Sequence, residues 1–162
     1  MMAQGVRLNA RPEKYIYGAM RAGRMEMPPI SFSEWLLWGE RTKIGGADSP
    51  GVYILAKFDE RPEGEADPKD GRIVYIGETC DNSLKGRWHQ FDRSAFRSKD
   101  GHSGGWSYSE TFKDAGEDLF VAALPVPGLP ESLRHLFIRY VERKLILEFA
   151  LEHGAQPRLN RK

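Results

Sequence analysis

Two short apolar runs near the middle of the chain constrain its fold most. Gly51-Val52-Tyr53 and Val74-Tyr75-Ile76-Gly77 combine β-branched and aromatic residues with a glycine, a pattern typical of a strand beside a turn. The segment between the two runs is polar, contains proline and glycine, and is longer than a tight hairpin needs. The sequence therefore predicts an antiparallel pair of strands over 52–58 and 72–76.

The second half of the chain alternates helical and strand patterns. Apolar side chains recur at helical spacing between Asn82 and Arg97, which predicts an amphipathic helix; they are Leu84, Trp88, Phe91 and Ala95. A continuous apolar run over 119–124, followed by two prolines, predicts a buried strand. A long helix is predicted from Pro130 to about His153, because Pro suits the first helical turn and Gly154 suits the stop.

The order β, β, α, β, α predicts an α+β fold, a three-stranded antiparallel sheet flanked by helices. Residues 1–48 precede this pattern and are predicted to form an N-terminal extension, and residues 49–162 form the main domain. A short helix through Trp35 and Trp38 is predicted in the extension, with Ser31 as the N-cap of a capping box and an end near Gly45-Gly46.

Charge is distributed unevenly, although the net charge is only +1. Basic residues outnumber acidic ones at positions 1–24. The acidic residue there is Glu13, and the basic ones are Arg7, Arg11, Lys14, Arg21 and Arg24. Acidic residues dominate positions 59–70. A partner with a phosphate backbone is therefore expected to bind away from the acidic segment.

Cys80 is the single cysteine, so no internal disulfide can form. The polar start of the sequence lacks the apolar core of a signal peptide, and no apolar run is as long as a membrane span. We therefore expect a cytoplasmic location and no membrane partner.

The two tyrosine motifs are followed in order by Arg87, a histidine, Glu142 and Asn160. With GVY in the first motif and an intact YIG in the second, this set resembles the GIY-YIG nuclease family over roughly residues 48–160. The resemblance implies the fold predicted above and a metal-dependent DNA endonuclease, which hydrolyses phosphodiester bonds with a tyrosine-activated water. It implies Tyr53 as the base, Tyr75 in a supporting role, and Asn160 as a residue that orders the site.

The position of Glu142 indicates a functional residue independently of the family resemblance. Its neighbours at helical spacing are apolar, namely Ile138, Leu145, Ile146 and Phe149, and a carboxylate in such a stripe needs a partner. That partner is either a cation such as Arg139 or a metal ion. A hard oxygen ligand suits Mg²⁺ or Mn²⁺, and the absence of a DxD or HxH cluster favours a single-metal site.

Arg87 lies at the edge of the apolar stripe of its helix, and its guanidinium suits bidentate contact with a phosphate. Two histidines are candidates for the remaining position. His89 is two residues from Arg87 and points away from it on a helix, whereas His102 follows the helix on a glycine-containing loop. We favour His102, although many relatives place the histidine where this chain has Phe91.

Two other classes of function remain open. One is a non-catalytic nucleic-acid-binding module that retains the fold, and the other is a plain scaffold in which Glu142 pairs with Arg87. If the chain is a nuclease, its DNA specificity would come from residues 1–48, from a homodimer or from a separate protein partner.

Overall fold

The structure is a computed structural model, and it describes residues 25–160. The basic segment at 1–24 lies outside the described residues. Within 25–160 there are four strands, three α-helices and a 3-10 helix. They are β1 (Leu36–Leu37), the 3-10 helix (Trp38–Lys43), β2 (Gly51–Lys57), β3 (Ile73–Thr79), α1 (Leu84–Phe96), α2 (Ser103–Phe112), β4 (Leu119–Pro125) and α3 (Glu131–His153).

The strands form one antiparallel sheet in the order β1-β4-β2-β3. The predicted α+β class is confirmed, but the prediction of three strands is wrong, because Leu36 and Leu37 pair with β4 as a fourth strand. The predicted short helix through Trp35 and Trp38 is correct in its second half, where the 3-10 helix spans Trp38–Lys43 and ends close to Gly45-Gly46. It is wrong in its first half, where residues 36–37 are a strand and the N-cap is Leu37 rather than Ser31. Trp35 packs on one face of the sheet and Trp38 on the other, whereas helical residues three apart share a face.

The sheet is buried on both faces. Val52, Ile54 and Ala56 of β2 pack towards α3, while Tyr53 and Leu55 pack towards α1 and α2. This alternation follows from the two-residue period of a strand. It places Tyr53 in the hydrophobic core between the sheet and helices α1 and α2, beside Trp88 and Phe91 of α1.

Residues that favour helix ends stand at the observed ends of α1 and α3. The hydroxyl of Ser83 accepts a hydrogen bond from the Gly86 backbone N–H and caps α1, and Gly154 ends α3 in the left-handed conformation. Helix α2 begins at Ser103, directly after His102, whose side chain caps it. Among residues 25–160, no helix combines the length and apolar character needed to cross a bilayer.

Residues of the predicted extension contribute to both cores. Phe32 and Trp35 are buried on the α3 side, and Trp38, Ile44 and Ala47 on the α1 side. Ser33 also bonds to the backbone of Ala123 through its N–H and its hydroxyl. The described part of the extension is therefore built into the sheet and its packing.

Candidate active site

An open cleft of about 260 Å³ lies at the outer edge of β3, the last strand of the sheet. Four of the six predicted site residues line it, although they come from β3, α1, α3 and the C-terminal segment: Tyr75, Arg87, Glu142 and Asn160. The other two, Tyr53 and His102, are buried beneath Tyr75. The fold therefore brings all six residues into one region.

Gly77, the glycine of the second motif, makes room for the two tyrosines. It lies opposite Tyr53 in the β2–β3 register. A Cβ atom at this position would lie 2.5 Å from Cε1 of Tyr75 and 2.9 Å from the hydroxyl oxygen of Tyr53. Those separations are far below van der Waals contact, so a side chain at 77 would push the two rings apart.

Tyr53 is completely buried, and its hydroxyl lies 2.9 Å from Nε2 of His102. The other ring nitrogen of His102, Nδ1, accepts a hydrogen bond of 2.9 Å from the backbone N–H of Gly104. A neutral imidazole carries one proton, and Nδ1 is occupied as an acceptor. Nε2 therefore carries the proton and donates it to the oxygen of Tyr53.

The same residue is thus the N-cap of α2 and the partner of Tyr53. Its backbone N–H donates to the hydroxyl of Ser94 on α1, which fixes the turn between the two helices. Gly104 permits the arrangement, because a Cβ atom there would lie 2.9 Å from Cε1 of His102 and from Cζ of Tyr75. His89, the rejected candidate, is exposed on α1.

Tyr53, Tyr75 and His102 are uncharged at neutral pH, and burial moves each of their pKa values further from neutrality. It raises the pKa of Tyr53 well above its usual value and the pKa of Tyr75 to about 12, while the positive charge of Arg87 acts in the opposite direction. Burial, together with the charge of Arg87, lowers the pKa of His102 to about 3. His102 is therefore a neutral hydrogen-bond donor.

Arg87 stands between the buried group and the cleft. It donates from Nη1 to Oε1 of Gln90 at 3.0 Å, which uses one of its five N–H donors. Its charge acts on both tyrosines and on His102. A phosphate placed in the cleft would meet this guanidinium.

Two carboxylates face the cleft. The Glu142 side chain is 17% exposed, and its Oε2 lies 3.4 Å from Nε of Arg143. Glu78 follows Gly77 directly and lines the same cleft. The negative charges of both carboxylates act to raise the pKa of Tyr75. Oxygen donors of this kind are the ligands Mg²⁺ prefers, so the residues present fit a magnesium site.

Asn160 holds the edge of the sheet beside the cleft. Its Nδ2 donates to the carbonyl of Ile76 at 2.7 Å, and its Oδ1 accepts from the Ile76 N–H at 2.9 Å. The N–H of Leu159 donates to the carbonyl of Val74 at 2.9 Å. The C-terminal segment thus satisfies backbone groups of β3 that would otherwise remain open.

Several residues of the cleft were not predicted from the sequence. Glu78 had a recognisable signal, since it directly follows the YIG motif, but only Glu142 was considered as a carboxylate. Ser103 and Ser107 reach the cleft because α2 begins at 103. Arg143 and Gln156 carried no signal, because their place in the cleft depends on how α3 and the chain after it pack.

No protein-family model matches the chain, and no curated protein or solved structure is significantly similar to it. What the chain does must therefore be inferred from the side chains of the cleft and their chemistry.

Proposed function

We propose that the chain is a metal-dependent DNA endonuclease of the GIY-YIG type. The observation that supports the proposal is the convergence at one cleft of Tyr75, Arg87 and Glu142, with Tyr53 and His102 behind them. These residues come from five separate parts of the chain. Together they offer a cation for phosphate, a carboxylate for a metal and hydroxyls beside the reacting atoms.

In this proposal Arg87 binds the scissile phosphate, for which a guanidinium provides paired N–H donors. Glu142, with Glu78 close by, holds Mg²⁺ or Mn²⁺. The metal, when bound, stabilises negative charge on the phosphate and on the leaving oxygen. Asn160 keeps β3 in place beneath these groups.

We propose that Tyr75, rather than Tyr53, contacts the attacking water. In the reactive form one phenol of the tyrosine pair is deprotonated. The water transfers a proton to that phenolate oxygen as the water oxygen bonds to phosphorus, and the leaving oxygen departs with the electrons of the bond that breaks. Tyr75 is the partner that lines the cleft, whereas Tyr53 has no exposed surface. Tyr53 and His102 then act from behind, where the Nε2–H of His102 stabilises negative charge on the hydroxyl group.

The first test is Mg²⁺-dependent nicking of supercoiled plasmid, with EDTA as the control. We expect Glu142→Gln to abolish nicking, because an amide of the same shape lacks the charge that holds the metal. The matched control is Glu148→Gln on the same helix, whose carboxylate pairs with Lys144 outside the cleft. Nicking by Glu142→Gln at the rate of the unsubstituted chain would contradict the proposal.

The alternative is a nucleic-acid-binding module without catalysis. One observation favours it: both tyrosines and His102 are uncharged at neutral pH, and burial moves their pKa values further from neutrality, which leaves no ready base. This alternative predicts DNA binding that is equal in Mg²⁺ and in EDTA, with no nicking in either. Arg87→Ala would weaken binding in both cases, so cleavage decides between them.

A further inference from the structure

A second group of possible metal ligands lies away from the cleft. Asp81 is in the turn after β3, and Glu131 and His135 are in the first turns of α3. One ligand atom from each of the three side chains lies within 4.8 Å of the other two. None of the three lines the cleft at the edge of β3.

The spacing of these residues suits coordination. Glu131 and His135 are four apart on a helix, so their side chains share a face. Nε2 of His135 lies 3.1 Å from Oδ1 of Asp81. Two donors that each lie about 2.0–2.1 Å from one ion are separated by about 2.9–3.4 Å at ordinary coordination angles. The observed distance falls in that range.

The surroundings of the His135 ring nitrogen give a second, independent indication of a bound cation. The Nε2 atom is shielded from solvent and has no hydrogen-bond partner of acceptable geometry among the described residues. The side chain as a whole is 25% exposed and both neighbouring carboxylates are exposed, so the cluster lies at the surface. A shielded ring nitrogen that lies 3.1 Å from a carboxylate oxygen without forming a hydrogen bond lacks a partner, and a cation held between the two groups, either a proton or a metal, would supply one.

We propose that Asp81, Glu131 and His135 form a binding site for a divalent transition metal, with Zn²⁺ as the ion that fits best. One imidazole nitrogen and two carboxylates are ordinary zinc ligands, whereas Mg²⁺ favours oxygen donors alone. Bound zinc would tie the turn after β3 to the start of α3. Glu78 lies on β3 before this turn, and Glu142 lies further along α3, but the zinc site does not depend on any nuclease activity.

The test is zinc binding by the full chain at neutral pH after treatment with a chelator. We expect titration calorimetry to give one Zn²⁺ per chain and Zn²⁺ to raise the melting temperature. Asp81→Asn and His135→Gln should each lower the affinity by more than about tenfold, since loss of even an outer partner costs about 10- to 100-fold. Asp81 is 78% exposed, so its variant folds even if the His135 variant does not.

Two controls separate this site from others. His153→Gln removes a different histidine of α3 and should leave zinc affinity unchanged. Glu142→Gln should also leave it unchanged, which keeps the result independent of the proposed nuclease site. The proposal is overturned if the unsubstituted chain binds no Zn²⁺, as a proton shared by His135 and Asp81 would predict. It is also overturned if Asp81→Asn binds zinc as tightly as the unsubstituted chain.

Discussion

The imidazole of His102 donates a hydrogen bond to the buried hydroxyl of Tyr53 and, through its other nitrogen, caps helix α2. One side chain therefore links the start of α2 to the first tyrosine motif on β2. Removing the ring would therefore change both the stability of α2 and the hydrogen bonding of the Tyr53 hydroxyl.

Substitutions at His102 can distinguish its two roles. His102→Ala should lose cleavage and also lower stability, by about 0.5–2 kcal/mol for the cap and about 0.5–1.5 kcal/mol for the lost hydrogen bond to Tyr53. His102→Asn should recover the part due to the cap, because Asn is a good N-cap, while cleavage stays low. Urea unfolding and plasmid nicking measure the two effects, and His89→Ala is the control. A His102→Ala variant as stable as the unsubstituted chain would disprove the capping role.

The two tyrosines should differ in how their hydroxyls are used. Tyr75→Phe should lower the rate of nicking by about 10² or more, the usual contribution of a positioned acid or base, with little change in stability. Tyr53→Phe should lower both the rate of nicking and the stability, because it leaves the Nε2–H of His102 without its acceptor in the core. Tyr140→Phe on the exposed face of α3 is the matched control. If Tyr75→Phe cuts normally, the attacking water is not activated by this residue.

The pH dependence of cleavage tests the tyrosine pair. A base is active in its deprotonated form, and burial raises the pKa of Tyr75 to about 12. The rate at saturating Mg²⁺ should therefore rise about tenfold per pH unit on the acid side of this value, without a plateau near neutral pH. A plateau beginning between pH 6 and 7 would instead indicate a histidine as the base.

The buried histidine should also make the fold sensitive to acid. The pKa of His102 is about 3 in the folded chain against an ordinary value of 6.5, so the unfolded chain binds the proton more readily. Stability should fall as the pH is lowered from about 6.5 towards 3, by up to about 1.4 kcal/mol per pH unit from this group. Urea unfolding across that range should give a steeper loss for the unsubstituted chain than for His102→Asn. Equal slopes would mean that His102 is protonated in the folded state.

Gly77 offers a test of packing at the site. Gly77→Ala places a Cβ atom 2.5 Å from the Tyr75 ring, and such overpacking costs about 1–3 kcal/mol. We expect a lower melting temperature and a loss of cleavage. Gly39→Ala is the control, since a Cβ atom there has no neighbour within 4 Å. An unchanged melting temperature for Gly77→Ala would mean that the rings can separate freely.

Sequence patterns predicted the long elements well. The apolar stripe of α1 is buried as expected, with Leu84, Trp88, Phe91 and Ala95 all in the core. Helix α3 begins one residue after Pro130 and ends at the predicted residue, His153. These elements are long enough for periodicity to identify them.

Short elements and depth of burial were not predictable in the same way. Strand β1 has two residues and exists because β4 offers it an edge, which is a tertiary effect. Helix α2 contains two glycines in its first turn, which weaken its pattern. The complete burial of Tyr53 depends on how α1 and α2 cover the sheet. No local pattern therefore indicated that Tyr75 would be the tyrosine facing the cleft.

The pairing of Asn160 with Ile76 joins residues 84 positions apart in the chain. Domains form from the N-terminus onwards during synthesis, at about 5–20 residues per second. The edge strand that carries Tyr75 can be made several seconds before the residue that closes it leaves the ribosome. On this view a growing chain cannot complete the cleft until synthesis has passed residue 160.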